Sequence, residues 1–169
     1  LRLLFARVGH PHCPICGREI SKMSVEQIIG KVTGSRLQGT GKKGGRVMIL
    51  APVVRDRKGE YSQLFEDFRK KGFSKVRIDG QVRDLDEDLV LIKTNKHTID
   101  LVVDRLVLDK KSIHEQSFTS RLAQSIETTL KFGEGSVIVA EVLDASFEFP
   151  QNPKKMEDHL YSERFACPV

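Results

Sequence analysis

Short apolar runs of strand type alternate with segments of helical period, and that alternation restricts the chain to a layered fold of sheet and helix. The runs are residues 47–54, 98–108 and 137–143. Between the first two, Tyr61, Leu64, Phe65 and Phe68 recur at the i, i+3, i+4, i+7 spacing of one helix stripe. Between the second and third, Phe118, Leu122, Ile126 and Leu130 form another stripe, with Gly133 behind it as a stop signal. Run 137–143 is apolar on both faces, which predicts a central strand. Pro52 has no N–H to give a ladder, so the end of the first run belongs near a sheet edge.

Local signals fill in the rest. Ser24 and Gln27 have the spacing of a capping box, and Met23 and Ile28 stand at the staple positions around it, so a helix starts here. Gly30 weakens that helix and Gly34 is expected to end it. Residues 34–45, rich in Gly, Lys and Ser/Thr, read as a surface loop, and 55–59 as a charged turn. Residues 75–79 and 81–85 form a hairpin about Asp79-Gly80. The tail 146–169 is charged, with Phe147, Phe149, Leu160 and Phe165 as anchors. The order helix, strand, helix, hairpin, strand, helix, strand predicts an α+β (or α/β) fold. It should be a mixed sheet with about three helices packed on it and short stubs at both ends.

The totals exclude little. A chain of 169 residues suits one domain, and its net charge of +5 attracts nucleic acid or an acidic protein surface. No apolar run is long enough to span a membrane. An odd count of three cysteines without a secretory signal points to a reduced cytoplasm.

Candidate chemistry is sparse. The loop 34–45 lacks both the spacing and the strand-to-helix context of a phosphate loop. Asp84, Asp86, Glu87 and Asp88 cluster in a polar stretch, solvated or holding a cation. His97, His114 and His159 are isolated, and no activated nucleophile is recognisable, so a self-contained enzyme is not expected. Cys13 and Cys16, in a proline-flanked Cys-x-x-Cys turn, are half of a zinc site; Cys167 and His10 or His12 are the candidates to complete it. The alternative is a pair of free thiols in a tight turn.

Three cations on strands stand out. Alternation sets Val76 and Ile78 inward, with Lys75 and Arg77 together on the other face. Arg105 shares the parity of Ile99, Leu101, Val103 and Val107, an apolar set. A guanidinium there requires a partner, a bulge or an open end of the sheet. Either it grips an acidic partner protein, or it pairs internally with Asp100 or Asp104.

Longer words of sequence carry a resemblance. They include Leu1-Arg2-Leu3-Leu4-Phe5-Ala6-Arg7-Val8-Gly9, Cys13-Pro14-Ile15-Cys16-Gly17 and Ile49-Leu50-Ala51-Pro52-Val53-Val54-Arg55-Asp56-Arg57-Lys58-Gly59-Glu60. Further along come Lys96-His97-Thr98-Ile99-Asp100-Leu101-Val102-Val103-Asp104-Arg105, Arg121-Leu122-Ala123-Gln124-Ser125-Ile126-Glu127-Thr128 and Ser162-Glu163-Arg164-Phe165-Ala166-Cys167-Pro168. In that order, nearly end to end, the chain resembles the UvrA family, the damage-recognition ATPases of bacterial nucleotide excision repair. The resemblance implies a domain inserted between nucleotide-binding elements that docks UvrB. It would span residues 23–159, with residues 1–22 a stub of the ATP-binding region and 160–169 a return stub toward a zinc module. It also implies that ATP, DNA contact and a homodimer belong to the full-length protein, and that zinc at the cysteines belongs to the intact protein. By register, the family's two basic docking positions fall on Lys75 and Arg105, with Arg77 beside them. Lys75 departs from the arginine found in some members, and the loop 34–45 is longer than usual. The competing reading is a basic nucleic-acid-binding domain with a zinc knuckle.

Overall fold

The computed structural model describes residues 23–39, 45–108, 115–144 and 150–163. Along them run α1 (Val25–Gly39), β1 (Gly45–Lys58), α2 (Ser62–Lys70), β2 (Lys75–Ile78), β3 (Gln81–Asp84), β4 (Lys96–Leu108), α3 (Gln116–Phe132), β5 (Ser136–Val142) and β6 (Met156–Ser162). The strands form one sheet in the order β3-β2-β4-β1-β5-β6. Every pairing is antiparallel, so the α+β class with three helices stands and the sheet is of one kind rather than mixed.

Local chemistry explains the elements. Ser24 Oγ accepts from the Gln27 N–H at 3.3 Å, and Gln27 Oε1 accepts from the Ser24 N–H at 3.1 Å, which closes the capping box. The β2–β3 turn puts Asp79 at φ 49 and Gly80 at φ 84, the paired positive angles that match a hairpin to strand twist. At the end of α3, a Cβ on Gly133 would lie 2.2 Å from the Ser136 carbonyl, so only glycine fits the turn into β5.

Three sequence expectations change. Helix α1 passes Gly34 and continues to Gly39, since Gly34 does not take the left-handed φ by which a glycine ends a helix. Residues 55–58 of the supposed turn are the far end of β1, where Arg57 and Lys58 pair with His97 and Lys96 beyond register shifts at Pro52/Val54 and Val54/Arg57. β5 is an interior strand as expected, but the charged tail beside it, Met156–Ser162, forms the edge strand β6.

The two faces of the sheet are covered differently. On one, Val47, Ile49, Leu106, Leu108, Val137 and Val139 pack against Ile28 and Val32 of α1 and Leu122 and Ile126 of α3. Further along the same face, Ala51, Val76, Ile78, Ile99 and Leu101 meet Phe65 and Phe68 of α2. On the other face Met48, Leu50, Val82, Val102, Ile138, Ala140 and Val142 form a third cluster with Met156 and Leu160 and, among the described residues, no helix. The Arg77 guanidinium on β2 reaches Asp158 on β6 at 2.7 Å, although four strand spacings of about 4.8 Å separate those strands in the ladder order. The sheet must therefore curl over its helix-free face. At the opposite boundary of the fold, the Met23 N–H donates to the Ser162 carbonyl at 3.0 Å, tying the start of α1 to the end of β6.

Candidate functional site

The three strand cations share the helix-free face. Arg77 lies opposite Val82 and Asp100, Lys75 opposite Asp84, and Arg105 opposite Met48. A bulge sets the last of these. Leu50 pairs with Val102 and Ile49 with Asp104, which leaves Val103 as an extra residue. Parity reverses there: Ile99 and Leu101 face the helices, and beyond the bulge so do Leu106 and Leu108. Arg105 is thereby turned to the opposite, helix-free face, where it is exposed. Of the three conditions stated for Arg105, the bulge is met.

Asp100 and Asp104 each hold further cations. Asp104 accepts from Arg121 Nη2 at 2.7 Å, Nε at 3.0 Å and Ser125 Oγ at 2.8 Å. Burial works to raise its carboxyl, but Arg121, Ser125 and the Arg105 N–H outweigh that and hold it below the usual range.

Lys75 and Arg77 lie on the face that alternation gives them, opposite to Val76 and Ile78, but they are not exposed there. Both faces of β2 are covered, and the two cations are only 6 % and 5 % exposed. The curl of the sheet, not β2 itself, buries them. Lys75 Nζ pairs with Asp84 at 2.5 Å. Arg77 donates from Nε to Asp100 at 2.9 Å and, as a fork, to both carboxylate oxygens of Asp158 at 2.7 Å. Burial works against the Arg77 charge, but Asp158 and Asp100 outweigh it and raise its pKa. Burial pushes the Asp100 carboxyl up, against the pull of Arg77 and Arg55. Asp100 Oδ1 accepts no aligned hydrogen bond, although Arg55 Nη2 stands 3.1 Å away.

The open end of this face is therefore built around Arg105. Beside it Val107, half exposed at 50 %, lies opposite Arg46. Arg46 extends its guanidinium to the Asp144 carbonyl, next to exposed Leu143. Reading the sequence missed Arg46 and Val107 because their place depends on the bulge. Cys13, Cys16, Cys167, His10, His12 and His114 lie outside the described residues. Of the acidic cluster, Asp84 is taken by Lys75, and Glu87 stands 3.9 Å from Arg83. His97 is a turn-holding group, with Nδ1 2.8 Å from Asp79 and Nε2 3.2 Å from the Ile92 carbonyl. No helix among the described residues is long and apolar enough to cross a membrane.

The fold and this surface define an α+β domain that presents an arginine beside exposed aliphatic side chains on an otherwise closed sheet face. The chain belongs to the UvrA interaction domain family, whose model matches residues 24–142. It is 46% identical over 168 residues to the UvrABC system protein A of Methanothermobacter thermautotrophicus. It is 45% identical over 170 residues to that of Deinococcus radiodurans, and 44% over 169 to that of Clostridium acetobutylicum. Each match covers 99% of this chain, which spans about 15% of the length of these relatives.

Proposed function

We propose that this domain is the docking module through which a UvrA-type damage sensor takes up UvrB in nucleotide excision repair. The observation that carries the reading is Arg105, turned outward by the Val103 bulge beside Val107 and Arg46. Arginine and an aliphatic neighbour are a common centre for gripping an acidic protein surface, because the planar fork pairs with carboxylates while the stem packs. Lys75 and Arg77 then serve the surface from beneath, by fixing the curl of the face rather than by reaching the partner. ATP hydrolysis, contact with damaged DNA and dimerisation belong, in the same reading, to the larger protein.

Calorimetric titration with UvrB tests it. Arg105→Glu is expected to cost about 2 kcal/mol or more of binding. Its unfolding free energy should stay within about 0.5 kcal/mol of wild type, as for an exposed position. Undiminished binding by folded Arg105→Glu would place the docking surface elsewhere. A folded wild type that ignores UvrB but binds duplex DNA with a steep salt dependence would replace docking with nucleic-acid binding.

A further inference from the structure

We propose that Glu141, Glu157 and His159 form a binding site for a divalent transition-metal ion, zinc above all, on the edge of the sheet. Glu141 lies directly opposite Glu157 in the β5–β6 ladder, and His159 is two residues further along β6, opposite Val139. Strand alternation therefore puts all three side chains on one side of the sheet. This is the helix-covered side, away from Arg105, because Glu141 also pairs with Val47.

The ligand atoms converge. One from each residue lies within 4.8 Å of the other two, and His159 Nε2 is 3.7 Å from Glu157 Oε1. That separation is too long for a hydrogen bond. It is close to the roughly 3.4 Å expected between two ligands that each sit about 2.1 Å from a tetrahedral zinc. Glu157 and His159 reach the rest of the way by side-chain rotation, since they are 61% and 37% exposed and have room to turn.

Electrostatics favours the same occupant. Two carboxylates directly opposite each other across a ladder repel, and a dication between them reverses the sign. Imidazole with carboxylates suits zinc and its neighbours, whereas calcium and magnesium favour shells of oxygen alone. Three ligands leave one tetrahedral position for water or a further donor. The ion would clamp the edge strand β6 to β5. Read along the sequence, His159 looks isolated, because its co-ligands are assembled only by β6, a strand that its charged residues conceal.

The test uses the full chain with Cys13, Cys16 and Cys167 changed to Ser, so that thiolates contribute nothing. Cobalt(II) is the spectroscopic probe and zinc the competitor. One cobalt is expected to bind with visible ligand-field bands and no sulfur charge-transfer band. His159→Gln and Glu157→Gln should each weaken binding about tenfold or more. Zinc should raise the Tm of the parent and not that of the variants. Absence of cobalt uptake by the folded parent, or equal uptake by the variants, overturns the site. If the triple Ser chain does not fold, imidazole NMR on the unaltered chain decides. Saturating zinc is expected to shift the His159 ring nitrogens, and unmoved resonances overturn the proposal.

Discussion

The two faces of this sheet solve the same burial problem by different means. The helix-covered face is apolar from α1 to α2, and each helix lays down a stripe that the strands meet with Val, Ile and Leu. Among the described residues the helix-free face has no second layer, and it covers itself. Its seven buried apolar side chains are joined by a guanidinium that spans from β2 to Asp158 on β6, strands with three others between them in the ladder order. The difference teaches that a helix closes a sheet through periodicity, whereas a sheet that curls on itself needs a long-range contact. Arg77 supplies that contact with three donors and two carboxylate partners.

If this contrast is right, the largest single loss comes from the helix-free side. Arg77→Ala strands Asp100 without its guanidinium, and removal of one partner from a buried ion pair costs about 3–5 kcal/mol. Urea denaturation measures it. On the helix-covered side Ile126→Ala should cost about 2–5 kcal/mol, as for other truncations of a fully buried aliphatic chain. A small effect of Arg77→Ala beside a large one of Ile126→Ala would break the comparison and credit the apolar cluster with closing the face. Ser24→Ala, which removes a cap on α1, should cost about 1 kcal/mol and leave the curl unchanged.

The smallest effect is a pH dependence. Donation from both ring nitrogens of His97 requires the imidazolium form. The bond to Asp79 raises the pKa of His97, against a lesser effect of burial. Burial pulls the Asp79 carboxyl up, but His97 and the Thr98 N–H hold it below its usual range. The histidine contribution is complete below the ordinary imidazole value and lost as pH rises through the raised one. The aspartate contribution is complete above the ordinary carboxylate value and lost as pH falls through the lowered one. The pair thus stabilises most between about pH 4 and about pH 6.5. Unfolding free energies of His97→Gln should decline less than those of wild type above that window.

Legibility in the sequence divides along the same line. The stripes of α2 and α3, the capping box and the Asp79-Gly80 turn were readable because each is set by residues a few positions apart. The end of α1 was not, because a glycine ends a helix by turning left-handed, and Gly34 does not. β6 was hidden because its alternation is broken by Glu157, Asp158 and His159, and only Asp158 has its partner on β2. The outward turn of Arg105 posed a question that the sequence could frame but not answer, since an extra residue in β4 is visible only against the register of β1. The burial of Lys75 and Arg77 depends on the curl, which no local pattern encodes.

The hydrogen bond from Met23 to Ser162 has a consequence for how such a domain can be carried. Chain arriving at residue 23 and chain leaving at residue 162 meet at one point. To a host protein the whole folded unit is equivalent to a tight loop, which imposes almost no spacing on the segments that flank it. A domain wired in this way can swing as a unit on its double stem, or be excised and replaced by a short turn, without either side having to refold.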